Sequence, residues 1–478
     1  MIETEALTWD EKIYPREKKS EKTVDTYCEA LNAGAEFPPI EIQRVTNYPD
    51  KEGETFIILD GFHRWEAYKR NKAAEIGIKE WIPEAIDYKQ SQIILLLEAA
   101  ERNSRHGDRL TENDKKRTAR RIAEADRKKI YTEEQIAEKL SVSRRTVSDW
   151  ISDIRTRQNA DRNSKIICLS RLARTQEEIA DAVGTTQGRV AQIINNGEFA
   201  KINNFLEQGR HMAWIAEHYN IDIPLAWALR LEGKTDQERF QELGWGLRTW
   251  DQWSFNECDE RFGDDWPGRI PAQLIGHTLF YFTEKGNLVL DPMAGGGVVP
   301  DTCLLFERRC RAFDMSPSED RPEIQKHYWN IDRPDWPNMK KPDLILFDPP
   351  YFTKKEREYK EKADANEPPL SSFDRELYLN FLSEFFSLAY ENSKPTARLA
   401  FLNADWRDFQ STPAVKEDPS NSITIFDYQA LISRVGWHIT HRIECPMSTE
   451  RFSGNMISSM QKARILGTVG RTLLIGKK

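Results

Sequence analysis

From residue 269 onward, segments with the pattern of a helix alternate with short apolar segments that have the pattern of a strand. "RIPAQLIGHTLFYF" and "VVPDTCLLFERR" are helix-like, whereas "NLVL", "CRAF" and "DLILF" are strand-like. Such alternation is typical of a parallel sheet that is covered by helices on both faces. We therefore predict a doubly wound α/β domain over 269–478, in which ligands bind where the strands end.

The first of two informative strand ends is "NLVLDPMAGGG". Its glycine run lets the backbone turn tightly and approach a ligand closely. Asp291 would repel a pyrophosphate there, and no Gly-Lys-Ser/Thr follows to hold a triphosphate. A carboxylate in this place suits a ligand with a cationic end, such as S-adenosylmethionine, and Asp314 at the tip of the next strand is placed to bind ribose hydroxyls. The predicted cofactor-binding residues are Asp291, Pro292, Met293, Gly295, Gly297 and Asp314.

The second strand end is "DLILFDPPYF". The exocyclic amine of adenine or cytosine is a poor nucleophile because its lone pair is delocalised into the ring. Acceptors aimed at the amine hydrogens, namely the Asp348 carboxylate and the Pro349 carbonyl, would free that lone pair towards a methyl donor. Prolines fix φ and remove backbone donors, so the turn presents carbonyls. We predict that Asp348, Pro349, Pro350 and Tyr351 are catalytic and that Tyr351 and Phe352 contact a base swung out of the duplex. Taken alone, the motif could also be a turn that merely ends a strand.

Residues 101–243 have a helical pattern that contains a repeat. Its copies are "IAEKLSVSRRTVSDWI", "IADAVGTTQGRVAQII" and "IAEHYNIDIPLAWALR", each with two apolar helical stripes around a short turn, which is the layout of a helix-turn-helix. We predict that the first two copies bind DNA and that the third, with an acidic turn, packs. A plain helical hairpin in a bundle is the alternative. The predicted DNA-binding residues are Arg144, Arg145, Thr146, Ser148, Gln187 and Arg189.

The distribution of charge supports contact with phosphate in this region. The whole chain has a net charge of −8, but Arg102 to Arg174 contains 20 Lys+Arg against 11 Asp+Glu, a net +9. A basic stretch in an acidic chain is typical of a nucleic-acid contact, although a solvated helical face is the alternative for a charge run taken alone.

Length and composition limit the remaining possibilities. A chain of 478 residues is too long for one core, and 1–100 mixes strand-like and helix-like pieces as an α+β domain does. No apolar run reaches the roughly 18 to 20 residues that span a bilayer, so we expect no membrane partner and a cytoplasmic protein of prokaryotic or phage and mobile-element context. The six cysteines form no CxxC pair, which predicts reduced thiols and no metal site.

From about residue 265 to its end, the chain resembles the amino-methylating, DPPY-type DNA methyltransferases. "DPMAGGG" looks like their cofactor loop, Asp314 like their ribose-binding acid, and "DPPY" like their catalytic motif. Many members have FxGxG or DPFxGSG where this chain has Met293 and Gly296. The resemblance implies a Rossmann-like domain that uses S-adenosylmethionine.

The amino-terminal part resembles ParB and sulfiredoxin-like domains. "ILDGFHRWEAYKRN" looks like their Gly-x-x-Arg-x-x-Ala motif, and "AAERNSRHGDRLTENDK" looks like the Asn-rich segment that leads to a helix-turn-helix. Phe62 stands where a sulfiredoxin has its reactive cysteine, which excludes reductase chemistry. Gly61, His63 and Arg64 are candidates for binding the phosphates of CTP or ATP, or the DNA backbone; the alternative is a structural domain whose arginine forms salt bridges.

Together these features predict a DNA methyltransferase that acts on a base amine of double-stranded DNA. Adenine N6 is favoured because the first residue of the motif is Asp348, and among the enzymes that this chain resembles Asp is commoner at that position in adenine-directed members, whereas cytosine-directed members often have Ser. Cytosine N4 methylation is one alternative, and a ParB-type partition or regulatory protein with an inactive methyltransferase domain is another. The sequence does not specify which DNA sequence is recognised or whether the protein forms a homodimer. It also leaves open whether a partner nuclease exists, as in restriction-modification systems. The predicted divisions are a ParB/sulfiredoxin-like domain at 1–100, a helix-turn-helix domain at 101–160, two further repeats at 161–243, a linker at 244–268 and the methyltransferase domain at 269–478.

Overall fold

The chain divides into two compact units, Met1–Asn159 and Ala160–Lys478. They are seen in a computed structural model that describes residues 1–105, 110–127, 129–195, 211–219, 221–255, 257–330, 334–352, 367–407, 422–447, 453–464 and 466–478. Part of the Asn-rich segment, 106–109, lies outside the described residues. Among the described helices, none has both the length and the apolar character needed to cross a bilayer.

The first unit is an α+β structure, as predicted for 1–100. Its strands are β1 (Ile2–Glu3), β2 (Leu7–Thr8), β3 (Ile40–Thr46), β4 (Thr55–Asp60), β5 (Glu75–Ile76), β6 (Ile78–Glu80) and β7 (Ile86–Asp87). Its helices are α1 (Glu21–Asn32), α2 (Phe62–Arg70), α3 (Tyr88–Arg105), α4 (Glu112–Ala125), α5 (Glu133–Leu140) and the first part of α6 (Arg144–Arg171). The main sheet has the order β2-β4-β3-β6, with β7 also paired to β3.

Both faces of this small sheet are covered because the apolar residues of its strands alternate. Ile58 on β4 packs in one cluster with residues of α2, and its neighbours Ile57 and Leu59 pack in another with residues of α3. Helix α3 then continues through residue 100, so the sheet and the following helices are joined by one continuous helix rather than by a linker.

Helices α5 and α6 form the first helix-turn-helix. Thr132 caps α5, because its hydroxyl accepts from the Gln135 amide while the Gln135 side chain accepts from the Thr132 amide. Ser141 ends α5 in the left-handed conformation, with φ of 52°, and α6 begins at Arg144. The predicted turn and helix start are therefore present.

The second unit begins with the rest of α6 and a group of short helices. These are α7 (Gln176–Val183), α8 (Gln187–Asn195), α9 (Met212–Tyr219), α10 (Ile223–Arg230) and α11 (Asp236–Leu243). Gly184, with φ of 64°, makes the turn between α7 and α8. In the third repeat, Leu225, Ala226 and Leu229 of α10 are buried in the core of the unit, so that copy packs, as its acidic turn predicts.

A seven-stranded sheet forms the rest of the second unit and confirms the predicted doubly wound fold. Its strands are β8 (Leu288–Asp291), β9 (Arg309–Asp314), β10 (Ile324–Lys326), β11 (Leu344–Phe347), β12 (Arg398–Asn403), β15 (His438–Glu444) and β16 (Thr472–Lys477), and β13 (Trp406–Arg407) pairs with β14 (Ser422–Ile423) apart from it. The order is β10-β9-β8-β11-β12-β16-β15. The first five strands are parallel, whereas β16 is antiparallel to both of its neighbours.

Helices cover both faces of this sheet because its central strands are apolar throughout. On β11, Leu344 and Leu346 point to one core cluster, whereas Ile345 and Phe347 point to the other. Helices α12 (Ala272–Phe282) and α13 (Val298–Leu305) contribute to the first cluster, and α14 (Arg375–Asn392) and α15 (Ile425–Val435) contribute to the second. The short helix α16 (Gly454–Ala463) lies between β15 and β16 in the chain.

The segment 244–268, predicted as a linker, is packed into the second unit. Trp245 and Trp253 are buried in the same core cluster as α12 and α13. The Trp245 indole also donates to Asp259 Oδ2 at 3.0 Å. Aromatic rings of this size find enough apolar surface only against a core, so the tryptophans fasten the segment to the domain that follows.

Candidate active site

A cavity opens at the carboxyl ends of strands β8, β9 and β11. Three carboxylates from these strand ends line it: Asp291, Asp314 and Asp348. The register explains the convergence, because Ile345 of β11 pairs with Leu290 of β8, and Asp291 pairs with Ala312 of β9. The sheet thus brings together residues that are far apart in the chain.

The glycine loop after β8 is held by the acid at the end of β9. The Gly295 amide donates to Asp314 Oδ2 at 2.8 Å, and the Ser316 amide donates to Asp314 Oδ1 at 3.0 Å. Gly295 and Gly297 have φ of 51° and 84°, which residues with a side chain rarely adopt. The Asp314 carboxylate therefore fixes the course of the loop as well as lining the cavity.

Gly296 has a steric reason to be glycine. The Asp264 amide donates to the Gly296 carbonyl at 2.8 Å, and a Cβ at position 296 would lie 2.8 Å from the Asp264 carbonyl oxygen and 3.0 Å from Trp266 Cβ. Segment 264–266 thus approaches the loop too closely for a side chain. This close approach accounts for glycine at the position where many of the resembling enzymes have serine.

Asp291 is the most deeply enclosed of the three acids, with 3% of its surface exposed. Burial raises the pKa of its carboxyl well above the usual value, and the Asp314 and Asp348 carboxylates raise it further, whereas a hydrogen bond from the Met293 amide lowers it. Ionisation of Asp291 is therefore opposed both by burial and by the two other carboxylates. A ligand with a cationic end would relieve this repulsion, whereas a phosphate would add to it.

The Asp-Pro-Pro-Tyr turn follows β11 and orients its acceptors by internal hydrogen bonds. The Tyr351 hydroxyl donates to Asp348 Oδ1 at 2.9 Å. The Pro350 carbonyl is occupied, since it accepts from the Phe352 amide at 2.8 Å and from the Tyr378 hydroxyl at 2.9 Å. The Pro349 carbonyl and Asp348 Oδ2 have no hydrogen-bond partner among the described residues. These two oxygens are the ones that a ligand amine could use.

At neutral pH, the Asp348 carboxyl group is close to the balance between its charged and neutral forms. Burial raises the pKa of its carboxyl to about 7, although the Arg471 guanidinium and the Tyr351 hydroxyl both lower it. Arg471 lies directly before β16 and was not among the predicted site residues. No sequence motif marks it, because only the antiparallel return of β16 brings it near β11.

Phe352, which was predicted to contact a base, packs against other aromatic residues. Its ring is 5% exposed and packs edge-on against Tyr378 and Trp406, with centroid distances of 5.2 and 4.7 Å. A contact between Phe352 and a base would require the ring to leave this packing. The residue has φ of 53°, a conformation that turns the chain sharply after the motif and directs the ring inward. Tyr351 is only partly buried.

Several residues that line the cavity carried no motif in the sequence. Trp266 and Arg269 come from the segment before α12, and His327 and Trp329 follow β10. The Trp329 indole donates to the Pro292 carbonyl at 2.7 Å and so supports the glycine loop from the side. The run "HYW" directly after a strand is a signal that could have been used. Across the described residues, no group of three or more His, Cys, Asp or Glu is placed to hold a metal ion, and all six cysteines are free thiols.

The predicted DNA-binding side chains lie at the starts of the second helices of the first two repeats. Arg144 and Arg145 are exposed at the start of α6, and Arg144 lies 3.6 Å from the Glu133 carboxylate. Thr146 and Ser148 are partly buried, and the Thr146 amide donates to the Ser143 hydroxyl at 3.1 Å. On α8, Gln187 and Arg189 are likewise exposed. The two repeats belong to different units of the chain.

In the first unit, the residues predicted to bind phosphate hold protein groups instead. Arg64 donates to the Pro38 carbonyl at 2.8 Å and forms an ion pair with Asp60 at 2.6 Å. The His63 ring accepts from the Ser20 amide at 3.1 Å, and Gly61, with φ of 95°, is the residue directly before α2. This arrangement is the one expected of the structural alternative, while binding of CTP or ATP stays a prediction.

No protein-family model matches the chain, and no curated protein matches it. Among solved structures, TrmN from Thermus thermophilus is similar with 14% identity and a TM-score of 0.26, over 44% of this chain and 49% of TrmN. A TehB-like SAM-dependent methyltransferase from Corynebacterium glutamicum has 12% identity and a TM-score of 0.25, over 43% of this chain and 86% of its own. The C-terminally truncated partitioning protein ParB from Caulobacter crescentus, complexed to the centromeric parS site, has 16% identity and a TM-score of 0.23, over 46% of this chain and 97% of ParB.

Proposed function

We propose that this protein is an S-adenosylmethionine-dependent DNA methyltransferase that acts on the exocyclic amine of a base, with adenine N6 as the favoured position. The observation that carries the proposal is the convergence of Asp291, Asp314 and Asp348 on one cavity beside a glycine loop. When bound, S-adenosylmethionine supplies an electrophilic methyl group on a cationic sulfur. The acidic cavity fits a ligand of that charge.

Asp291 and the loop of Gly295 to Gly297 would hold the cofactor, and Asp314 would accept hydrogen bonds from ribose hydroxyls. With these roles given to Asp291 and Asp314, the third acid, Asp348, would be available to the nucleobase that receives the methyl group. Asp348 Oδ2 and the Pro349 carbonyl would accept the two hydrogens of the amine, so that the nitrogen lone pair points away from the ring system. The partly buried Tyr351 offers an aromatic face to the base.

Methyl transfer then needs an acceptor for one proton. Once the bound cofactor had supplied its methyl group, the amine nitrogen would have to lose one proton. Asp348 can take that proton and release it to water, because the pKa of its carboxyl is raised to about 7 by burial, against the lowering effect of Arg471 and Tyr351. A carboxyl group with its usual pKa would be a weaker base for this step.

The choice of DNA as substrate rests on the exposed basic start of α6. Arg144 and Arg145 are exposed and can reach phosphate groups or base edges. The surrounding stretch from Arg102 to Arg174 has a net positive charge. Adenine is favoured over cytosine because of the first Asp of the motif and because a purine gives more stacking surface to Tyr351.

The direct test is transfer of a labelled methyl group from the cofactor to plasmid DNA, followed by mass spectrometry of the nucleosides. We expect the product to be N6-methyldeoxyadenosine. Methylated cytidine alone would refute the choice of base but not the mechanism at Asp348. No transfer to DNA, with transfer to RNA or protein, would refute DNA as substrate, and no transfer at all would favour the partition-protein alternative.

We predict that the double change Arg144→Ala and Arg145→Ala weakens DNA binding and makes it less dependent on salt. Each lost phosphate contact should reduce the slope of log K against log salt concentration by about 0.9. The matched control is Arg157→Ala, which removes another exposed arginine of the same helix, away from the turn. Binding titrations at several salt concentrations measure the slope. An unchanged slope in the double variant would assign DNA contact to another surface.

A further inference from the structure

Helix α16 belongs to an excursion of the chain at the sheet edge that carries the candidate active site. Strand β16 is antiparallel to β12, and its first residue, Thr472, pairs with Asn403, the last residue of β12. Thr472 also pairs with Glu444, the last residue of β15. Strand β12 is parallel to β11, which ends directly before Asp348. The chain between β15 and β16 therefore leaves and rejoins the sheet at the same edge as Asp348.

The two ends of this excursion stay paired beyond the sheet. The Cys445 amide donates to the Arg471 carbonyl at 2.6 Å, and the Met447 amide donates to the Val469 carbonyl at 2.9 Å. Helix α16 lies in the chain between these two paired arms. The pairing thus fixes where the excursion starts and ends, beside the strand ends that line the cavity.

Two adjacent apolar side chains are exposed on α16. Met456 and Ile457 have 49% and 45% of their surface exposed. The Ser453 hydroxyl accepts from the Met456 amide at 3.3 Å, so the helical turn that carries both residues is capped. Single exposed apolar residues are common on protein surfaces, whereas two neighbours on one capped turn form an apolar ridge that a partner can cover.

The charge of the same stretch favours a polyanion as that partner. Residues 451–478 contain six Lys and Arg and no Asp or Glu, in a chain with a net charge of −8. Lys462, in the last turn of α16, and Arg464, directly after the helix, are exposed. Neither forms an ion pair with a described residue. Cations beside an apolar ridge suit DNA, since the cations bind phosphates while the ridge contacts bases.

We propose that α16 is a DNA-contacting helix whose Met456 and Ile457 side chains enter the base stack where the target base has left it, while Lys462 and Arg464 bind the neighbouring phosphates. The proposal rests on the methyltransferase function proposed above. A base that swings into the cavity leaves a gap in the duplex and loses its stacking contacts. Apolar side chains at the same sheet edge would fill this gap, as wedges of Met or Ile do between base steps.

The first test is the single-turnover rate of methyl transfer to linearised duplex plasmid by the double variant Met456→Ala and Ile457→Ala. We expect a loss of about 10- to 100-fold, because the unstacking of the target base would no longer be offset. On the same plasmid after heat denaturation, the rate should change by less than about twofold, since a single-stranded base leaves no gap. Met456→Leu with Ile457→Leu is the matched control, because it keeps the apolar volume and should keep the duplex rate.

The second test measures binding without catalysis. In titrations of linearised plasmid at several salt concentrations, Lys462→Ala with Arg464→Ala should reduce the slope of log K against log salt concentration by about 1.8, or about 0.9 for each phosphate contact. Lys477→Ala is the matched control. Lys477 is exposed in the same basic stretch but pairs with Arg398, at the start of β12 and hence at the opposite edge of the sheet. Its slope should equal that of wild type.

The outcomes separate this proposal from the proposed function. A wild-type protein that methylates no DNA would defeat the proposed function, while the salt slopes would still decide whether α16 contacts DNA. A wild-type duplex rate in the double alanine variant, or an equal loss on duplex and denatured DNA, would overturn the entry into the stack, and an unchanged slope would overturn the phosphate contacts. Loss of an oligomer in sedimentation, with an unchanged duplex rate, would assign the ridge to a second copy of the chain. If wild type does not methylate denatured DNA, the duplex rates of the alanine and leucine variants decide the question.

Discussion

Replacing Asp348 with alanine is expected to lower the rate of methyl transfer by about 100- to 1000-fold, because removing one positioned acceptor typically costs about 2.7 to 4 kcal/mol at the transition state. The cofactor should still bind with nearly unchanged affinity. The residues assigned to it, Asp291 and Asp314, lie at the ends of β8 and β9, whereas Asp348 follows β11. The effect should therefore fall on kcat rather than on cofactor affinity.

Single-turnover transfer of a labelled methyl group measures the rate, and calorimetry with the demethylated product measures affinity without the sulfonium charge. Asp348→Asn is the matched variant, since its amide oxygen still accepts a hydrogen bond but its nitrogen cannot take a proton. It should be slower than wild type and faster than the alanine variant. A turnover of the alanine variant above about a tenth of wild type would contradict the role of Asp348, because the loss would then be smaller than about 1.4 kcal/mol.

The sheet of the second unit could be predicted because its strands have short-range signals. Strands β8, β9 and β11 are apolar runs bounded by turn residues, and helices with clear periodicity separate them. Parallel strands end on the same edge, so Asp291, Asp314 and Asp348 could be expected to converge. The helix-turn-helix was predictable for a similar reason, since its turn and its two apolar stripes lie within one short stretch.

Long-range contacts could not be predicted in this way. Arg471 can lower the pKa of the Asp348 carboxyl only because β16 returns antiparallel beside β12, and nothing in the neighbouring residues marks it. Trp266 reaches the glycine loop because the segment before α12 folds back over it. The inward turn of Phe352 depends on a left-handed residue that is not glycine, which sequence patterns rarely indicate.

Arg64 illustrates a different limit of sequence reasoning. The motif around it was consistent with phosphate binding and equally with a structural role. The structure gives its guanidinium the Asp60 carboxylate and the Pro38 carbonyl as partners. The Pro38 carbonyl is close in the fold but lies 26 residues away in the chain. A guanidinium that already has acceptors would have to exchange them for phosphate oxygens.

The second large effect is expected at the glycine loop, where Asp314→Ala should weaken binding of S-adenosylmethionine by about 100-fold, or about 2.7 kcal/mol. Two losses combine in this variant. The Gly295 and Ser316 amides lose the carboxylate that accepts from them, so the loop loses its fixed course. The ribose hydroxyls would also lose an ionised acceptor, and hydrogen bonds to charged groups contribute about 1.5 to 3 kcal/mol each.

Calorimetric titration with the cofactor and with its demethylated product measures this effect, and both ligands should lose affinity because both carry the ribose. Asp320→Ala is the matched control, since Asp320 lies further along the same connection, is exposed, and lies 3.9 Å from the Lys165 ammonium. Its affinity should stay close to that of wild type. Equal affinities of the Asp314 and Asp320 variants would contradict the ribose assignment. Together with Asp348→Ala, which should lose rate but keep affinity, Asp314→Ala should separate binding from chemistry within one cavity.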